Sequence, residues 1–119
     1  MYYLYIILRE NCPYSKNLVE LLKKNNIDFE SITVSIEEKE KYKTDLISTF
    51  PQVYLKSLSN NDSILIGGFD TVSELINNLQ SNNLQSNEKF DILTKNMSNK
   101  TKLKLKLILK GHKKINVIQ

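Results

Sequence analysis

The chain has 119 residues, 40% of them hydrophobic and 25% charged, which suits a single small globular domain. Its one cysteine, Cys12, excludes an intrachain disulfide framework and favours a reducing compartment, so a cytoplasmic protein is expected. No apolar run is long enough to cross a bilayer, and the run at residues 2–8 lacks the preceding basic region of a signal peptide. The net charge of +4 is uneven, because residues 1–94 carry nine basic and thirteen acidic side chains, whereas residues 95–119 carry eight lysines and no acid.

Hydrophobic periodicity divides residues 1–80 into seven elements. A continuous apolar run predicts a buried first strand, and the spacing of Leu18, Leu21 and Leu22 predicts an amphipathic helix after it. Because a helix connects the first two strands, they should pair in parallel. The predicted elements are a strand at 2–8, a helix at 15–24, a strand at 27–34, a helix at 37–49, strands at 53–55 and 64–66, and a helix at 71–79. This β-α-β-α-β-β-α order predicts an α/β domain around a small mixed sheet.

Beyond residue 80 the composition changes. Residues 80–88 are rich in Asn, Gln and Ser and resemble a linker. Phe90, Leu93 and Met97 are spaced to line one side of a short helix. Residues 102–107 then alternate strictly between Lys and Leu, which is the period of a strand. We therefore expect a domain at residues 1–80, followed at residues 81–119 by a polar linker and a Lys-rich C-terminal extension.

The basic extension at residues 95–119 has four interpretations. It is a solvated, frayed segment, or an added edge strand whose leucines pack inward while its lysines discourage aggregation. The lysines suit phosphate contacts with a nucleic acid, although no aromatic residue follows Phe90 to stack on bases. Weak contact with an anionic membrane surface is the fourth interpretation. The sequence alone leaves all four open.

Cys12 lies at the junction between the first predicted strand and the first predicted helix. The positive end of a helix dipole stabilises a thiolate, which is the reactive form of cysteine. The alternative is a buried structural cysteine, since free cysteines are among the most buried residues. Position by itself does not decide between a reactive and a structural role.

Three motifs follow one another along the chain: Cys12-Pro13-Tyr14-Ser15 with Arg9 three positions before the cysteine, Thr49-Phe50-Pro51, and Gly67-Gly68-Phe69-Asp70-Thr71. Together they resemble the glutaredoxins, glutathione-dependent oxidoreductases of the thioredoxin fold, over residues 2 to about 80. The resemblance implies a thioredoxin-like fold with a four-stranded mixed sheet flanked by helices. The chain departs from the family pattern in having Ser15 for the second cysteine, Phe50 for valine, and a longer loop between residues 56 and 64.

The resemblance also implies a role for each residue of the motifs. Cys12 is the expected nucleophile, and no metal-binding residues are expected. Six residues are expected to bind glutathione. Arg9 would bind the glycyl carboxylate, and the Phe50 backbone, which precedes a cis Pro51, would pair with the cysteinyl backbone. Phe69 and Asp70 would hold the γ-glutamyl end, and Tyr14 would lie beside the sulfur. Two of these residues have a plainer alternative, which is a solvated surface charge for Arg9 and a helix cap for Asp70.

Ser15 determines which mechanism is expected, because serine cannot close an internal disulfide. The chain is therefore expected to be an enzyme that removes glutathione from mixed disulfides by a monothiol mechanism, with glutathione as co-substrate and glutathionylated proteins or small disulfides as partners. One alternative is an iron–sulfur cluster carrier ligated by glutathione, although carriers in this family usually have Cys-Gly-Phe-Ser and Pro13 argues against that role. The others are an inactive paralogue and a non-catalytic interaction module with a basic tail.

Overall fold

The computed structural model describes residues 2–80 and 84–111, with residues 84–87 described through their backbone only. Four strands form one mixed sheet: β1 (Tyr2–Arg9), β2 (Glu30–Val34), β3 (Gln52–Ser57) and β4 (Ser63–Gly67), in the order β2-β1-β3-β4. β1 pairs in parallel with β2 and antiparallel with β3, and β4 pairs antiparallel with β3. This arrangement confirms the predicted thioredoxin-like fold and the predicted parallel pairing of the first two strands.

Two helices, α1 (Pro13–Lys24) and α2 (Phe69–Gln80), pack with one face of the sheet in a common hydrophobic core. Successive strand residues point to opposite faces, so Leu4 and Ile6 of β1 are fully buried on this side. The helices contribute Leu18, Leu22, Val72, Leu75 and Ile76, all buried. Burial of each such side chain stabilises the folded protein by about 1.5–3 kcal/mol, so the packing of the two helices on this face holds the sheet in place.

The other face of the sheet is only partly covered, because residues 37–49 do not form a packed helix. The helix predicted there is wrong. The segment forms a short 3-10 helix, Lys39–Tyr42, with no buried residue. Past it, the Thr44 hydroxyl accepts hydrogen bonds from the amides of Leu46 and Ile47, both at 3.1 Å. Such local bonds compete with the helical ladder, and Leu46 is 81% exposed, so no apolar stripe holds a helix here. Tyr5 of β1 consequently remains half-buried.

The predicted strand at residues 102–107 is also wrong, because these residues lie in a helix, α4 (Asn99–Leu109). Ser98 caps it by accepting a hydrogen bond from the Thr101 amide at 3.2 Å. Leucine and lysine are both good helix formers, and lysine is depleted in strands. A helical turn brings Leu105 and Leu109 to one side, where both are buried in the core. Packing in the helical register therefore overrides the period-two pattern.

A further helix, α3 (Leu84–Leu93), precedes α4 and also contributes to the core. Phe90 is buried there, whereas Leu93 is exposed and Met97 lies beyond the helix end. The hydrophobic core therefore extends beyond residue 80. Residues 81–83 of the predicted linker and 112–119 of the predicted extension lie outside the described residues. The domain boundary at residue 80 stays a prediction.

The end of α4 packs against the end of α1. Gly111 follows α4 with a φ of +73°, and its amide donates to the Ile108 carbonyl at 3.1 Å. A Cβ at this position would collide with the Asn25 carbonyl just past α1, so only glycine allows this approach. None of the described helices has the length and apolar content needed to span a bilayer.

Candidate active site

Cys12 is the N-cap residue of α1. Its backbone is extended, with φ −108° and ψ 116°, and its carbonyl accepts the first helical hydrogen bond, from the Lys16 amide at 3.1 Å. Pro13 occupies the first helical position, where its missing N–H leaves no donor unsatisfied. The N-cap position places the sulfur opposite the free amides of the first turn. The strand-to-helix junction predicted for Cys12 is thus confirmed.

Ser15, one turn into α1, connects Cys12 to the end of β1. It is buried, and its Oγ accepts a hydrogen bond from the Arg9 backbone amide at 3.1 Å. The same hydroxyl lowers the pKa of the Cys12 thiol, as a hydrogen-bond donor beside a thiolate does. Ser15 is therefore a hydrogen-bonded component of the site as well as the replacement for a second cysteine.

The environment of Cys12 lowers the pKa of its thiol. Burial alone would raise that pKa, but hydrogen bonds from the Ser15 hydroxyl and from the Ser15 and Tyr14 amides outweigh it. The positive charge of Arg9 lowers the pKa further by a smaller amount. The sulfur is consequently biased towards the thiolate, as a nucleophile requires.

Phe50 and Pro51 lie beside the sulfur. The peptide bond between them is cis, which confirms what the family resemblance implied. The neutral Cys12 thiol donates to the Phe50 carbonyl with Sγ 3.8 Å from the oxygen. The Phe50 backbone, which directly precedes β3, is therefore in reach of a group bonded to that sulfur.

The glycine motif lies next to Pro51. Gly67 ends β4 with a φ of +145°, and a Cβ there would lie 2.8 Å from the Thr71 Cβ. A Cβ on Gly68 would lie 3.4 Å from the Pro51 carbonyl oxygen. These close approaches set the start of α2 against the loop that carries Pro51.

Two aromatic rings join the start of α1 to the start of α2. Tyr14 and Phe69 have ring centroids 6.0 Å apart at an interplanar angle of 50°, a favourable tilted geometry. Tyr14 is largely exposed, whereas Phe69 packs against the core. Asp70 follows in the first turn of α2 and is exposed. The structure thus brings Cys12, Tyr14, Phe50, Pro51 and Phe69 together and places Asp70 at their edge.

Arg9, at the end of β1, borders a surface cavity of about 710 Å³ that Cys12 also lines. Its side chain is half-buried and donates weakly to the Glu10 carbonyl at 3.4 Å. The Cys12 residue is only 8% exposed, so the sulfur lies just beneath the surface rather than on it, and the cavity gives access to it. Lys16 and Glu20 line the same cavity, so its charged side chains are of both signs.

The hydrogen bonding of Ser15 was not predicted from the sequence, where Ser15 stands only as the replacement for a second cysteine. The signal that could have found it is its place three residues after an N-cap cysteine. An N-cap side chain faces the amide of the third helical residue, so that residue's own polar group can also reach it.

The sheet order and the cysteine at the N-terminus of the first helix agree with the thioredoxin-like fold that the three motifs predicted. The glutaredoxin family model matches residues 1–58, and this match supports assignment of the chain to the glutaredoxins, a family of thiol–disulfide oxidoreductases. The match includes Cys12 and Pro51 and ends before the Gly67-Gly68 motif. No curated protein matches the chain.

Proposed function

We propose that this protein is a glutathione-dependent oxidoreductase that removes glutathione from mixed disulfides by a monothiol mechanism. The observation that carries the proposal is the environment of Cys12, the only cysteine, whose thiol pKa is lowered while Ser15 occupies the place of a resolving thiol. A reactive sulfur without a partner thiol must pass its disulfide to a molecule from solution. The match to the glutaredoxin family model supports glutathione as that molecule.

The reaction has two exchange steps. The Cys12 thiolate attacks the glutathione sulfur of a mixed disulfide, the bond to the substrate sulfur breaks, and the substrate leaves as a thiolate that takes a proton from water. A second glutathione, as its thiolate, then attacks the glutathionyl sulfur on Cys12. This step forms glutathione disulfide and regenerates the Cys12 thiolate, so each turnover consumes one glutathione thiolate and releases one substrate thiolate.

The residues around the sulfur suit the parts of bound glutathione. The Phe50 carbonyl oxygen lies 3.8 Å from the Cys12 sulfur. We therefore expect the Phe50 backbone to pair with the cysteinyl backbone of glutathione, as extended peptides pair with strands. Arg9 offers a charge for the glycyl carboxylate. At the other end, Asp70 can bind the γ-glutamyl ammonium, and the amides of the first turn of α2 can bind its carboxylate. Tyr14 and Phe69 would flank the sulfur between these ends.

Turnover of the mixed disulfide between glutathione and 2-mercaptoethanol, coupled to glutathione reductase, tests this proposal. We expect turnover that depends on glutathione and disappears in Cys12→Ser, while the control Ser31→Ala, at an exposed position of β2, stays active. Activity that persists in Cys12→Ser, or that other thiols support as well as glutathione does, would contradict the proposal.

A second variant tests the monothiol mechanism separately. Ser15→Cys supplies the missing thiol next to Cys12, so it should gain the ability to reduce insulin disulfides, which the natural chain should lack. If the natural chain reduces insulin as fast as Ser15→Cys does, a single-thiol mechanism is wrong even though glutathione dependence stands.

A further inference from the structure

One face of α4 has no partner among the described residues. Leu103 and Leu107 are four residues apart and therefore share one side of the helix, where they are 57% and 58% exposed. Leu105 and Leu109 on the opposite side are buried in the core, which fixes the rotation of the helix. Two apolar side chains are thus held outward by packing and are not the product of a frayed segment.

Lysines surround these two leucines. Lys100 and Lys104 lie on the same side of the helix as Leu103 and Leu107, and Lys110 follows one turn after Leu107. Within the described part of the chain none of these lysines forms an ion pair, and no acid lies between residues 92 and 111. We call Lys100, Leu103, Lys104, Leu107 and Lys110 the α4 outer face.

We propose that the α4 outer face docks on an anionic lipid bilayer, with its two leucines at the level of the headgroups and its lysines on the lipid phosphates and carboxylates. Exposed leucines flanked by lysines suit the surface of an anionic bilayer, where apolar side chains enter the headgroup region and lysines meet anionic lipids. A second copy of the chain fits poorly, because face-to-face pairing would bring like charges together. A nucleic acid would use the lysines and leave the leucines in water.

Docking through α4 would leave the candidate active site free. Gly111, after the end of α4, lies against Asn25 just past the last residue of α1, whereas Cys12 lies before its first residue. α1 has 12 residues, so at 1.5 Å per residue about 18 Å separates its two ends. We therefore expect a bilayer on the α4 side to leave the sulfur accessible, so that the protein could act on substrates while it is bound.

A neighbouring cavity of about 400 Å³ extends this surface. Leu107, Tyr2, Tyr3 and Phe29 line it, and tyrosines are favoured where apolar and aqueous regions of a membrane meet. Asp28 and Glu30 line the same cavity and would be repelled by anionic lipids, so they mark the limit of the contact.

Co-sedimentation of the full chain with vesicles tests the proposal. We expect binding to phosphatidylcholine vesicles that contain about one-third phosphatidylserine, little binding to pure phosphatidylcholine, and weakening with salt. Lys100→Glu with Lys104→Glu should weaken binding at least about thirtyfold, and Leu103→Gln with Leu107→Gln at least about tenfold. Turnover of a small mixed disulfide should stay unchanged in both variants.

Matched controls carry the same chemical changes elsewhere on the surface. Lys41→Glu with Lys43→Glu reverses two charges at exposed ion pairs, and Leu46→Gln with Leu58→Gln replaces two exposed leucines. Both control variants should bind vesicles like the natural chain. If the controls weaken binding equally, or if the α4 leucines prove irrelevant while its lysines matter, the proposal is overturned. Retention on a homopolymeric RNA with no binding to the anionic vesicles overturns it as well.

Discussion

Replacing Leu105 by alanine tests whether α4 is part of the core. Leu105 is fully buried in the cluster that also contains Leu4 and Leu22. Losing its side chain and leaving a cavity should lower the free energy of unfolding by about 3–5 kcal/mol. At about 4 °C per kcal/mol for a chain of this size, the thermal midpoint should fall by about 12–20 °C. Urea unfolding followed by far-UV circular dichroism measures the loss directly.

Two neighbouring leucines supply the control. Leu103→Ala and Leu107→Ala act on exposed side chains of the same helix, so each should change the free energy of unfolding by only about 0.5 kcal/mol. In a strand the three leucines would share one face and respond alike. Equal effects at residues 103, 105 and 107 would therefore refute the helical packing, and no effect at Leu105 would show that α4 is not docked.

Three further predictions concern the site and the C-terminal helices. Ser15→Ala removes a hydrogen bond to the thiolate, so the pKa of Cys12 should rise and its alkylation by iodoacetamide at neutral pH should slow by about three- to tenfold; an unchanged rate would remove Ser15 from the network. Arg9→Glu should also raise the pKa of Cys12 and increase the glutathione concentration needed for turnover, whereas Arg9→Lys keeps the charge and should remain close to the natural enzyme. Removal of residues 95–119 takes away α4, so the thermal midpoint and turnover should collapse together; a stable, active truncated chain would show that residues 1–94 fold independently.

The local pattern of residues 1–34 was sufficient to predict its elements. A continuous apolar run forms β1, and the leucine stripe of α1 follows a cysteine and a proline at positions that suit a helix start. These signals succeed because each element buries its own periodic face. The parallel pairing of β1 with β2 then follows from the helix between them.

The same reasoning failed where local preference and packing disagree. Residues 37–49 contain acids and lysines that favour a helix, but no apolar stripe binds them to the sheet, and the Thr44 hydroxyl stabilises a turn instead. Residues 102–107 alternate like a strand, yet every fourth residue of the helical register meets the core at Leu105 and Leu109. The helix predicted at residues 37–49 is therefore absent, and the strand predicted at residues 102–107 is a helix.

The sequence by itself determined the chemistry of this protein: one cysteine, its place before a helix, and a serine where a second thiol would be. Those facts are local, because they depend on residue identity and spacing within a single turn. Only the tertiary structure decided that the Ser15 hydroxyl accepts from Arg9 and donates to Cys12, and that α4 completes the core. The first depends on how the end of β1 meets the start of α1 in space. The second depends on contacts between elements far apart in the chain, which arise from the burial of complementary surfaces that local periodicity does not encode.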